Sequence, residues 1–397
     1  MFNIRETAVA GHADAVIVGG GVIGCAVAYY LAKMGARVVV LDSGSVGGGA
    51  SAANAGGINL ATKKPGLAMQ LGIASQRLYG GLAAELGTDL EHLVTGKLIV
   101  AETETEFAFL EALCAEQRAA GAPVEMVSAA RCRELNSLLE ERVLAGLYCP
   151  TDAQANPFKV TQGYARAAQE RDARISTCTE VQSIETSGHR VSRVRTSKGI
   201  VETRWVVNAA GARAADVGRM VGAEHDVRPW RGQVVVLEAS ADFPAISVSG
   251  ASQMVSKHAA GATPRDALNL AFSYQPRPVS GTVLLGSTYE FVGHDTRTTV
   301  AGIAGICRVN ARVMPRLGRS CAVRSWAGLR PYSPSGPILG CAGGPDGYLV
   351  ATGHGGDGMA LAPVTGAYLA ALIARDGRAY ELPAFLDDLR MAPAAAA

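Results

Sequence analysis

The order of apolar and polar segments predicts a βαβ unit at the start of the chain. Residues 15–18 form a short apolar run typical of a buried strand, and glycine-rich sequence follows it. A helical pattern then covers about residues 22–34, with Gly35 placed as a helix stop. The run 36–41 is rich in β-branched residues and ends at Asp42. Strand, glycine turn, helix and strand in this order predict two parallel strands.

The remaining pattern predicts more α/β structure around a second, largely antiparallel sheet. Further helices are expected over residues 69–86, 104–120, 157–170, 298–314 and 359–375. Strands are expected over residues 96–101, 233–238, 268–274, 283–287 and 348–352, with a strand meander over 180–208 that turns at 197–199. Residues 392–397 form a low-complexity tail that we expect to be disordered.

Length and composition limit the class of protein. A chain of 397 residues favours two domains, and 48% hydrophobic with 18% charged residues is ordinary for a globular protein. The net charge is +2, with Lys and Arg scattered, so nothing indicates nucleic acid as a partner. The apolar run 15–32 has four glycines within six residues, and no other segment approaches the ~20 apolar residues of a membrane span.

The eight cysteines bear on whether the chain holds a metal and on where in the cell it works. They are dispersed, and no two form a Cys-x-x-Cys pair, which argues against a zinc site or an iron–sulfur cluster within the chain. The first fourteen residues are polar and mixed in charge, unlike a secretory leader. Together these features predict a metal-free protein in a reducing, cytoplasmic setting.

The glycine turn of the βαβ unit is Gly19-Gly20-Gly21-Val22-Ile23-Gly24. The first glycine permits a tight turn, Gly21 lets the backbone approach a pyrophosphate, and Gly24 lets the helix pack on the strand. Asp42 follows 18 residues beyond Gly24, where a carboxylate can accept hydrogen bonds from ribose hydroxyls. A coincidental glycine turn is the alternative, and the register of strand, helix, strand and acid argues against it.

A loop of small residues, 47–57, follows Asp42 with the sequence Gly-Gly-Gly-Ala-Ser-Ala-Ala-Asn-Ala-Gly-Gly. Its many backbone donors suit a long cofactor lying across it, which favours FAD over NAD. A flexible loop is the alternative.

Two segments near the C-terminus complete the candidate chemistry. The turn 353–359, Gly-His-Gly-Gly-Asp-Gly-Met, joins a predicted strand to a predicted helix and would aim backbone N–H groups at the negative N1/O2 edge of a reduced flavin. A plain connection is the alternative. Arg330 lies among apolar, Gly and Pro residues in Trp-Ala-Gly-Leu-Arg-Pro. If buried it needs a partner, either an anionic substrate or a structural carboxylate.

These four segments, in this order, resemble the D-amino-acid-oxidase-type flavoprotein family, which includes glycine oxidase, sarcosine oxidase and flavin subunits of heteromeric dehydrogenases. The resemblance spans nearly the whole chain. Its specific parts are Ala-Gly-Leu-Arg-Pro at 327–331 and Gly-His-x-x-x-Gly at 353–358, and segments 206–211 and 231–233 also fit the family's pattern.

The resemblance implies a doubly wound FAD-binding Rossmann-like domain and a substrate domain with a mainly antiparallel sheet. We assign residues 1–85, 150–215 and 325–397 to the FAD-binding domain, and residues 86–149 and 216–324 to the substrate-binding domain. Arg330 would clamp a substrate carboxylate, the C-terminal glycine turn would meet the flavin ring, and Val181 would lie at the adenine end. The expected cofactor-binding residues are Gly19, Gly21, Val22, Ile23, Gly24, Asp42, Ser43, Ala50, Ser51, Asn54, Ala55, Gly56, Gly57, Val181, Ala209, Ala210, Gly211, Arg330, Gly355, Gly356, Asp357, Gly358 and Met359.

The chain also departs from its relatives. Monomeric sarcosine oxidases hold their flavin through a Cys at a place that corresponds here to Gly328, so the resemblance implies non-covalent FAD. They also carry a Lys at a place that corresponds to Ala360, which puts direct use of oxygen in doubt. The pocket candidates are Tyr274, Tyr289 and Tyr332, whereas His258 and His354 are interpreted as structural.

The predicted reaction is oxidation of the C–N bond of a small amino or imino acid, of the D-amino acid, N-substituted, hydroxyproline or opine type. Hydride transfer to flavin N5 would leave an imine that water hydrolyses. The closest resemblance is to flavin subunits of heteromeric dehydrogenases, which implies an oligomer that passes electrons to redox partner subunits. The alternatives are a stand-alone oxidase that forms hydrogen peroxide, a nicotinamide-dependent dehydrogenase and a non-catalytic FAD-bearing subunit.

Overall fold

The first sheet contains the parallel strands that the βαβ pattern predicts. The structure is a computed structural model, and it describes residues 4–7, 9–252, 254–255, 268–376 and 381–391. Strands and helices are each numbered in chain order. The strands of the first sheet are β1 (Gly11–Val18), β2 (Val38–Leu41), β9 (Arg174–Ser176), β10 (Val181–Ser187), β11 (Arg190–Thr196), β12 (Gly199–Asn208), β18 (Ile338–Gly340) and β19 (Tyr348–Thr352).

Strand β1 is at the centre of this sheet. It runs parallel to β2 on one side and to β12 on the other, with Val18 opposite both Leu41 and Asn208. Strands β9 and β19 extend the parallel arrangement outward from β2 and β12, and β10 and β11 join β12 as the predicted antiparallel meander. A strand that is covered on both faces needs a continuous apolar sequence. Strand β2 is such a strand: its sequence is Val-Val-Val-Leu, and all four residues are buried.

Helices alternate with the strands of both large sheets along the chain. Those of the described residues are α1 (Val22–Lys33), α2 (Leu67–Glu85), α3 (Glu104–Ala119), α4 (Ala129–Leu135), α5 (Pro157–Gln169), α6 (Ala214–Arg219), α7 (Val300–Val313), α8 (Gly358–Ala374) and α9 (Leu382–Met391). Helix α8 is apolar all round because it packs between α1 and α2. Across the described ranges, no helix has both the length and the apolar character needed to cross a membrane.

The second sheet is mainly antiparallel, with one parallel pair between β14 and β5. Its strands are β5 (Lys97–Ala101), β6 (Glu125–Ser128), β7 (Ala145–Cys149), β13 (Arg228–Glu238), β14 (Ser247–Gly250), β15 (Asn269–Arg277), β16 (Thr282–Tyr289) and β17 (Ala322–Tyr332). Helix α7 packs on this sheet, and Ile306 joins Val235 and Leu285 in its apolar core. A small third sheet consists of β3 (Gly57–Ile58), β4 (Leu93–Val94) and β8 (Ala153–Gln154).

The predicted α/β fold class, with a second and mainly antiparallel sheet, is therefore confirmed, and the six predicted helices are confirmed to within two residues at each end. The division into domains stays a prediction. Residues 325–332 were assigned to the FAD-binding domain, but they lie in β17 of the second sheet. The predicted tail 392–397 lies outside the described residues.

The contact between α1 and α8 generates a prediction about stability. A Cβ atom at Gly366 of α8 would lie 2.8 Å from the carbonyl carbon of Ala26 in α1. We expect Gly366→Ala to lower the free energy of unfolding by about 1–3 kcal/mol, because the two helix backbones would have to separate. Urea unfolding measures the change.

The matched control is Gly80→Ala in α2, where a Cβ atom would meet nothing within 4 Å. That substitution should raise stability by about 0.5–1 kcal/mol through helix propensity alone. Equal effects of the two substitutions would contradict the tight contact between α1 and α8.

Candidate active site

The glycine turn between β1 and α1 allows close backbone contacts that no other residue permits. Gly19 has φ of +113°, and a Cβ atom there would lie 2.4 Å from the carbonyl oxygen of Ala209. A Cβ atom at Gly24 would lie 1.9 Å from the carbonyl oxygen of Gly19. Gly21, Val22 and Ile23 therefore stand at the start of α1 with their backbone beside the edge of the sheet, as a pyrophosphate site requires.

Asp42 follows β2 and ties two loops together. Its Oδ2 atom accepts a hydrogen bond from the Gly20 N–H at 2.7 Å, and its Oδ1 atom accepts one from the Gly44 N–H at 2.7 Å. Ser43 lies between these loops, immediately after Asp42. The backbone N–H of Thr179 donates to the carbonyl oxygen of Asp42 at 2.7 Å. That bond brings Val181, the first residue of β10, to the same end of the sheet.

The other predicted cofactor segments follow β12 and β19 at this same edge. Because β1, β2, β12 and β19 are parallel, their carboxyl ends meet there. Ala209, Ala210 and Gly211 come directly after β12, and Thr352 at the end of β19 donates its hydroxyl to the Gly211 carbonyl at 3.0 Å. The turn 355–359 then leads into α8.

The loop 47–57 is tied to these segments at both ends. Near its start, the Val22 N–H donates to Ser51 Oγ at 2.9 Å, next to Ala50. Near its end, Asn54 Nδ2 donates to the carbonyl oxygen of Gly356 at 3.1 Å, while Asn54 Oδ1 accepts from the Gly56 N–H at 2.6 Å. The Ala55 carbonyl accepts a hydrogen bond from Arg277, and Gly57 enters β3. These hydrogen bonds join the loop to α1, to the C-terminal glycine turn and to β15, which a flexible connection would not show.

Arg330 lies on β17 opposite Trp230 of β13. Its guanidinium donates to the Thr288 carbonyl at 3.2 Å and to Ser287 Oγ at 3.3 Å, and it stands 4.5 Å from the ring centre of Tyr289. Among the described residues, no ion pair joins Arg330 to a carboxylate. Its positive charge is therefore available to an anionic ligand.

The neighbouring arginine, Arg231, has the structural carboxylates instead. Its side chain is 4% exposed and lies 2.6 Å from Glu290 and 3.2 Å from Asp295. Burial works to raise the pKa of Glu290, but hydrogen bonds from Arg231, Thr288 and Gln233 outweigh it and lower that pKa. The pair is charged on both sides and holds β13 against the segment after β16. Two adjacent arginines of the second sheet thus have different environments.

Gly232 makes room for Arg330 on β13. A Cβ atom at this position would lie 2.0 Å from Nη1 and 2.3 Å from Cζ of the Arg330 guanidinium. The guanidinium can lie across β13 only because residue 232 has no side chain. Residues 231–233 fit the family's pattern in the sequence, but that pattern does not reveal this role of Gly232.

Four aromatic rings form a cluster around Trp230, and two of them, Trp230 and Tyr289, lie next to Arg330. The centre of the Trp230 ring is 4.8 Å from that of Tyr289, 5.9 Å from that of Phe291 and 5.0 Å from that of Tyr332. Tyr289 and Tyr332 both belong to this cluster, and their role as pocket residues stays a prediction. Trp230 and Phe291 were not predicted, although Trp230 directly precedes the Arg-Gly-Gln segment.

Tyr274 is not a pocket residue, contrary to the prediction. Its side chain is fully buried in the apolar core of the second sheet, and its hydroxyl donates to the Pro244 carbonyl at 2.8 Å. It points to the α7 side because it pairs in register with Leu285, which belongs to the same core. His354 is buried with Nε2 3.1 Å from Thr365 Oγ1, and burial lowers its pKa to about 4. His258 lies outside the described residues.

Two buried lysines were missed by the sequence analysis. Lys63 is 2% exposed and lies 2.6 Å from Asp357 of the C-terminal glycine turn. Lys97, at the start of β5, is 4% exposed, and burial lowers its pKa to about 8. Lys63 is followed by a second lysine and a proline, where lysine is normally a surface residue, and Lys97 stands at the polar start of the apolar run 98–101, so no pattern marked either side chain as buried. The described residues contain no group of three or more His, Cys, Asp or Glu side chains that could hold a metal ion.

The glycine cradle, the helix start behind it and the tied loop fit a long dinucleotide, since side chains are absent where the backbone must approach the cofactor. Fold and site together define an FAD-dependent oxidoreductase. Residues 14–372 match the family described as FAD dependent oxidoreductase, the D-amino-acid-oxidase-type family, and the chain belongs to it. The cofactor is accordingly FAD, and the nicotinamide-dependent alternative is wrong.

Individual relatives agree in length with this chain. It is 31% identical to glycine oxidase from Geobacillus kaustophilus over 384 residues, which cover 94% of this chain and 96% of the relative. It is 28% identical to hydrogen cyanide synthase subunit HcnC from Pseudomonas aeruginosa over an alignment 417 positions long, which covers 94% of this chain and 95% of the relative. The crystal structure of the Geobacillus kaustophilus glycine oxidase superimposes with a TM-score of 0.84 at 29% identity, covering 94% of this chain and 98% of that one.

The space at Gly232 generates a prediction about the substrate site. We expect Gly232→Ala to displace the Arg330 guanidinium and raise the substrate KM by at least about tenfold, with FAD still bound, since a change of about 1.4 kcal/mol in binding is already tenfold. Steady-state kinetics on the purified holoenzyme measure it. Gly250→Ala in the same sheet, where a Cβ atom would come no closer than 3.6 Å to its neighbours, is the control and should leave KM unchanged. An unchanged KM in Gly232→Ala would contradict the role of this glycine.

Proposed function

We propose that this enzyme oxidises the C–N bond of a small amino or imino acid whose carboxylate is held by Arg330. The observation that carries the proposal is the contrast between the two arginines. Arg231 is ion-paired with Glu290 and Asp295, whereas the described residues offer Arg330 no carboxylate. An arginine without a carboxylate, beside aromatic rings and the cofactor segments, suits a ligand that brings its own carboxylate.

The protein's part in the reaction is to bind and orient the substrate. The planar guanidinium of Arg330 would hold both carboxylate oxygens, and the rings of Trp230, Tyr289 and Tyr332 would cover the apolar part of the substrate. FAD, when bound, would supply the redox chemistry as the acceptor of two electrons, which leave the substrate with its α-hydrogen while the C–N bond becomes a C=N bond. His354 has a pKa of about 4 because it is buried, so it is neutral at neutral pH and adds no charge beside the turn.

The relatives support this substrate class. The names of two of them refer to oxidation of glycine and to synthesis of hydrogen cyanide. A structure described as iminodiacetate oxidase from Chelativorans superimposes with a TM-score of 0.76, but at 23% identity it supports the fold alone.

We also propose that the FAD is bound without a covalent link. Gly328 occupies the place where a flavin-linking Cys stands in monomeric sarcosine oxidases. A Cβ atom at Gly328 would lie 2.3 Å from the Cβ atom of Ala53. A cysteine at this position would therefore require the loop 47–57 to move.

For the electrons that leave the flavin, we propose an acceptor dye or a redox partner subunit in an oligomeric assembly. Ala360, the place of the Lys in sarcosine oxidases, is a buried alanine of α8. The similarity to hydrogen cyanide synthase subunit HcnC, a subunit by name, supports a partner. A stand-alone oxidase is the second candidate, favoured by the similarity to glycine oxidase and by the buried Lys63 beside the glycine turn.

Arg330 provides the test of the substrate class. We expect Arg330→Ala to leave FAD bound and to raise the KM for the best amino or imino acid substrate about thirty- to several-thousand-fold, because losing one partner of a buried charge pair costs about 2–5 kcal/mol. Arg330→Lys should restore little, since an ammonium group cannot reproduce the forked geometry. Substrates are first found by screening amino acids, N-methyl amino acids, prolines and opines with a dye acceptor. Near-normal kcat/KM in the Ala variant would rule out the carboxylate clamp, and the absence of turnover on the whole panel would favour a non-catalytic FAD-bearing subunit.

The electron acceptor is tested by reducing the isolated protein with substrate under anaerobic conditions and then admitting air. We expect slow reoxidation of the flavin and steady turnover only when a dye is present. Flavin absorbance and peroxide formation are followed together. Rapid reoxidation with one hydrogen peroxide per flavin, and full turnover in air alone, would establish the oxidase instead.

A further inference from the structure

Lys63 is a buried cation that substrate binding by Arg330 leaves unused. It lies between β3 and α2, and its backbone is held on both sides: its N–H donates to the Leu60 carbonyl at 2.8 Å and its carbonyl accepts from Gln117 at 2.8 Å. The buried carboxylate of Asp152 fixes the same segment by accepting from the Leu60 N–H at 2.6 Å and the Ala61 N–H at 3.2 Å. The ammonium group is therefore held in place by a rigid loop.

The partner of Lys63 is Asp357, and the two lie 2.6 Å apart at Nζ and Oδ1. Lys63 is 2% exposed, whereas the side chain of Asp357 is 45% exposed. Asp357 is also the N-cap residue of the 17-residue helix α8, yet its side chain makes no capping hydrogen bond. The carboxylate is directed to the buried lysine instead of the helix N–H groups. Burying an ammonium is costly without a partner, so this pair is a built feature of the turn.

The ion pair joins the glycine turn, which contains Asp357, to the buried lysine behind it. Asp357 stands between Gly356 and Gly358, and the Gly356 carbonyl accepts the hydrogen bond from Asn54. A Cβ atom at Gly356 would lie 3.8 Å from Nε of Arg330, so the turn also borders the proposed carboxylate site. Asp357 is thus at the surface that the two predicted cofactor loops and Arg330 share, with Lys63 one layer deeper.

We propose that the Lys63–Asp357 pair sets the charge beside the FAD ring and thereby its reduction potential. The proposal rests on the proposed function for the placement of the ring at the glycine turn. Reduced FAD carries more negative charge than oxidised FAD, so a carboxylate alone in the turn disfavours reduction and a lysine alone favours it. In the pair, Lys63 neutralises the carboxylate of the glycine turn, and the start of α8 remains the dominant positive field.

Substitution of Lys63 and substitution of Asp357 should therefore shift the reduction potential of FAD in opposite directions. A purely structural role of the pair would not produce opposite shifts. Sulfite adds to oxidised flavin and places negative charge on it, so its affinity reports the same field without any substrate. In the holoenzyme, we expect Lys63→Met to weaken sulfite binding roughly tenfold, equivalent to about 30 mV for a two-electron couple, and to lower the reduction potential accordingly. Asp357→Asn should strengthen sulfite binding and raise the potential, and the double variant should return close to the unmodified protein.

Two further variants serve as controls. Lys63→Arg keeps the charge and should stay near the unmodified potential. Lys33→Met removes a lysine that pairs with Glu85 at 2.5 Å at the far end of α1 and should change nothing. If Lys63→Met fails to retain FAD, the Asp357→Asn variant alone tests the proposal. Weaker sulfite binding or an unchanged reduction potential in Asp357→Asn overturns it. Shifts in the same direction in both single variants also overturn it.

The outcome is distinguishable from that of the proposed function. Opposite shifts of the potential in a protein that turns over no amino or imino acid would retain the ion-pair role and reject the substrate class. Normal turnover with Arg330-dependent KM but unmoved potentials would retain the substrate class and reject the ion-pair role.

Discussion

The close contact between the backbones of Gly19 and Ala209 is the constraint on which the rest of the structure depends. A Cβ atom at Gly19 would meet the Ala209 carbonyl oxygen at 2.4 Å, so the strands β1 and β12 can end side by side only with glycine there. That contact aligns the carboxyl ends of the parallel strands and places the start of α1 at the same edge. The loops that follow β2, β12 and β19 then converge on one place, although hundreds of residues separate them in the chain.

The second sheet supplies the polar chemistry by giving two neighbouring arginines different surroundings. Arg231 is compensated by Glu290 and Asp295 and stabilises the sheet. Arg330 lies across the strand above Gly232 with aromatic rings on its face. The alternation of side chains along β13 and β17 accounts for the difference, since adjacent positions of a strand face opposite sides. A structural ion pair and a ligand site can therefore lie within one pair of strands.

The charge at the C-terminal glycine turn is arranged in layers. Asp357 interrupts the glycine turn with a carboxylate, and Lys63 lies behind it with almost no exposure. Asn54 connects this turn to the loop after Asp42. The same few residues thus fix the position of two loops and the charges between them, and this is the basis of the proposed effect on the reduction potential.

The sequence by itself determined the βαβ unit, the six long helices, the two kinds of sheet, the glycine turns and the Arg330 segment, because each depends on local periodicity or on a fixed spacing of small residues. It did not reveal strand β17, because Gly328 and Pro331 interrupt the strand pattern. The structure tolerates both residues because β17 is an edge strand, paired only with β13 among the described strands. It also misplaced Tyr274, whose direction depends on register with Leu285. Only the tertiary structure decided that Lys63 is buried while its neighbour Lys64 is exposed, that Gly232 accommodates Arg330, and that Arg231 takes the carboxylates. These properties depend on what lies across a sheet or behind a loop, and contacts between residues far apart in the chain leave no local pattern.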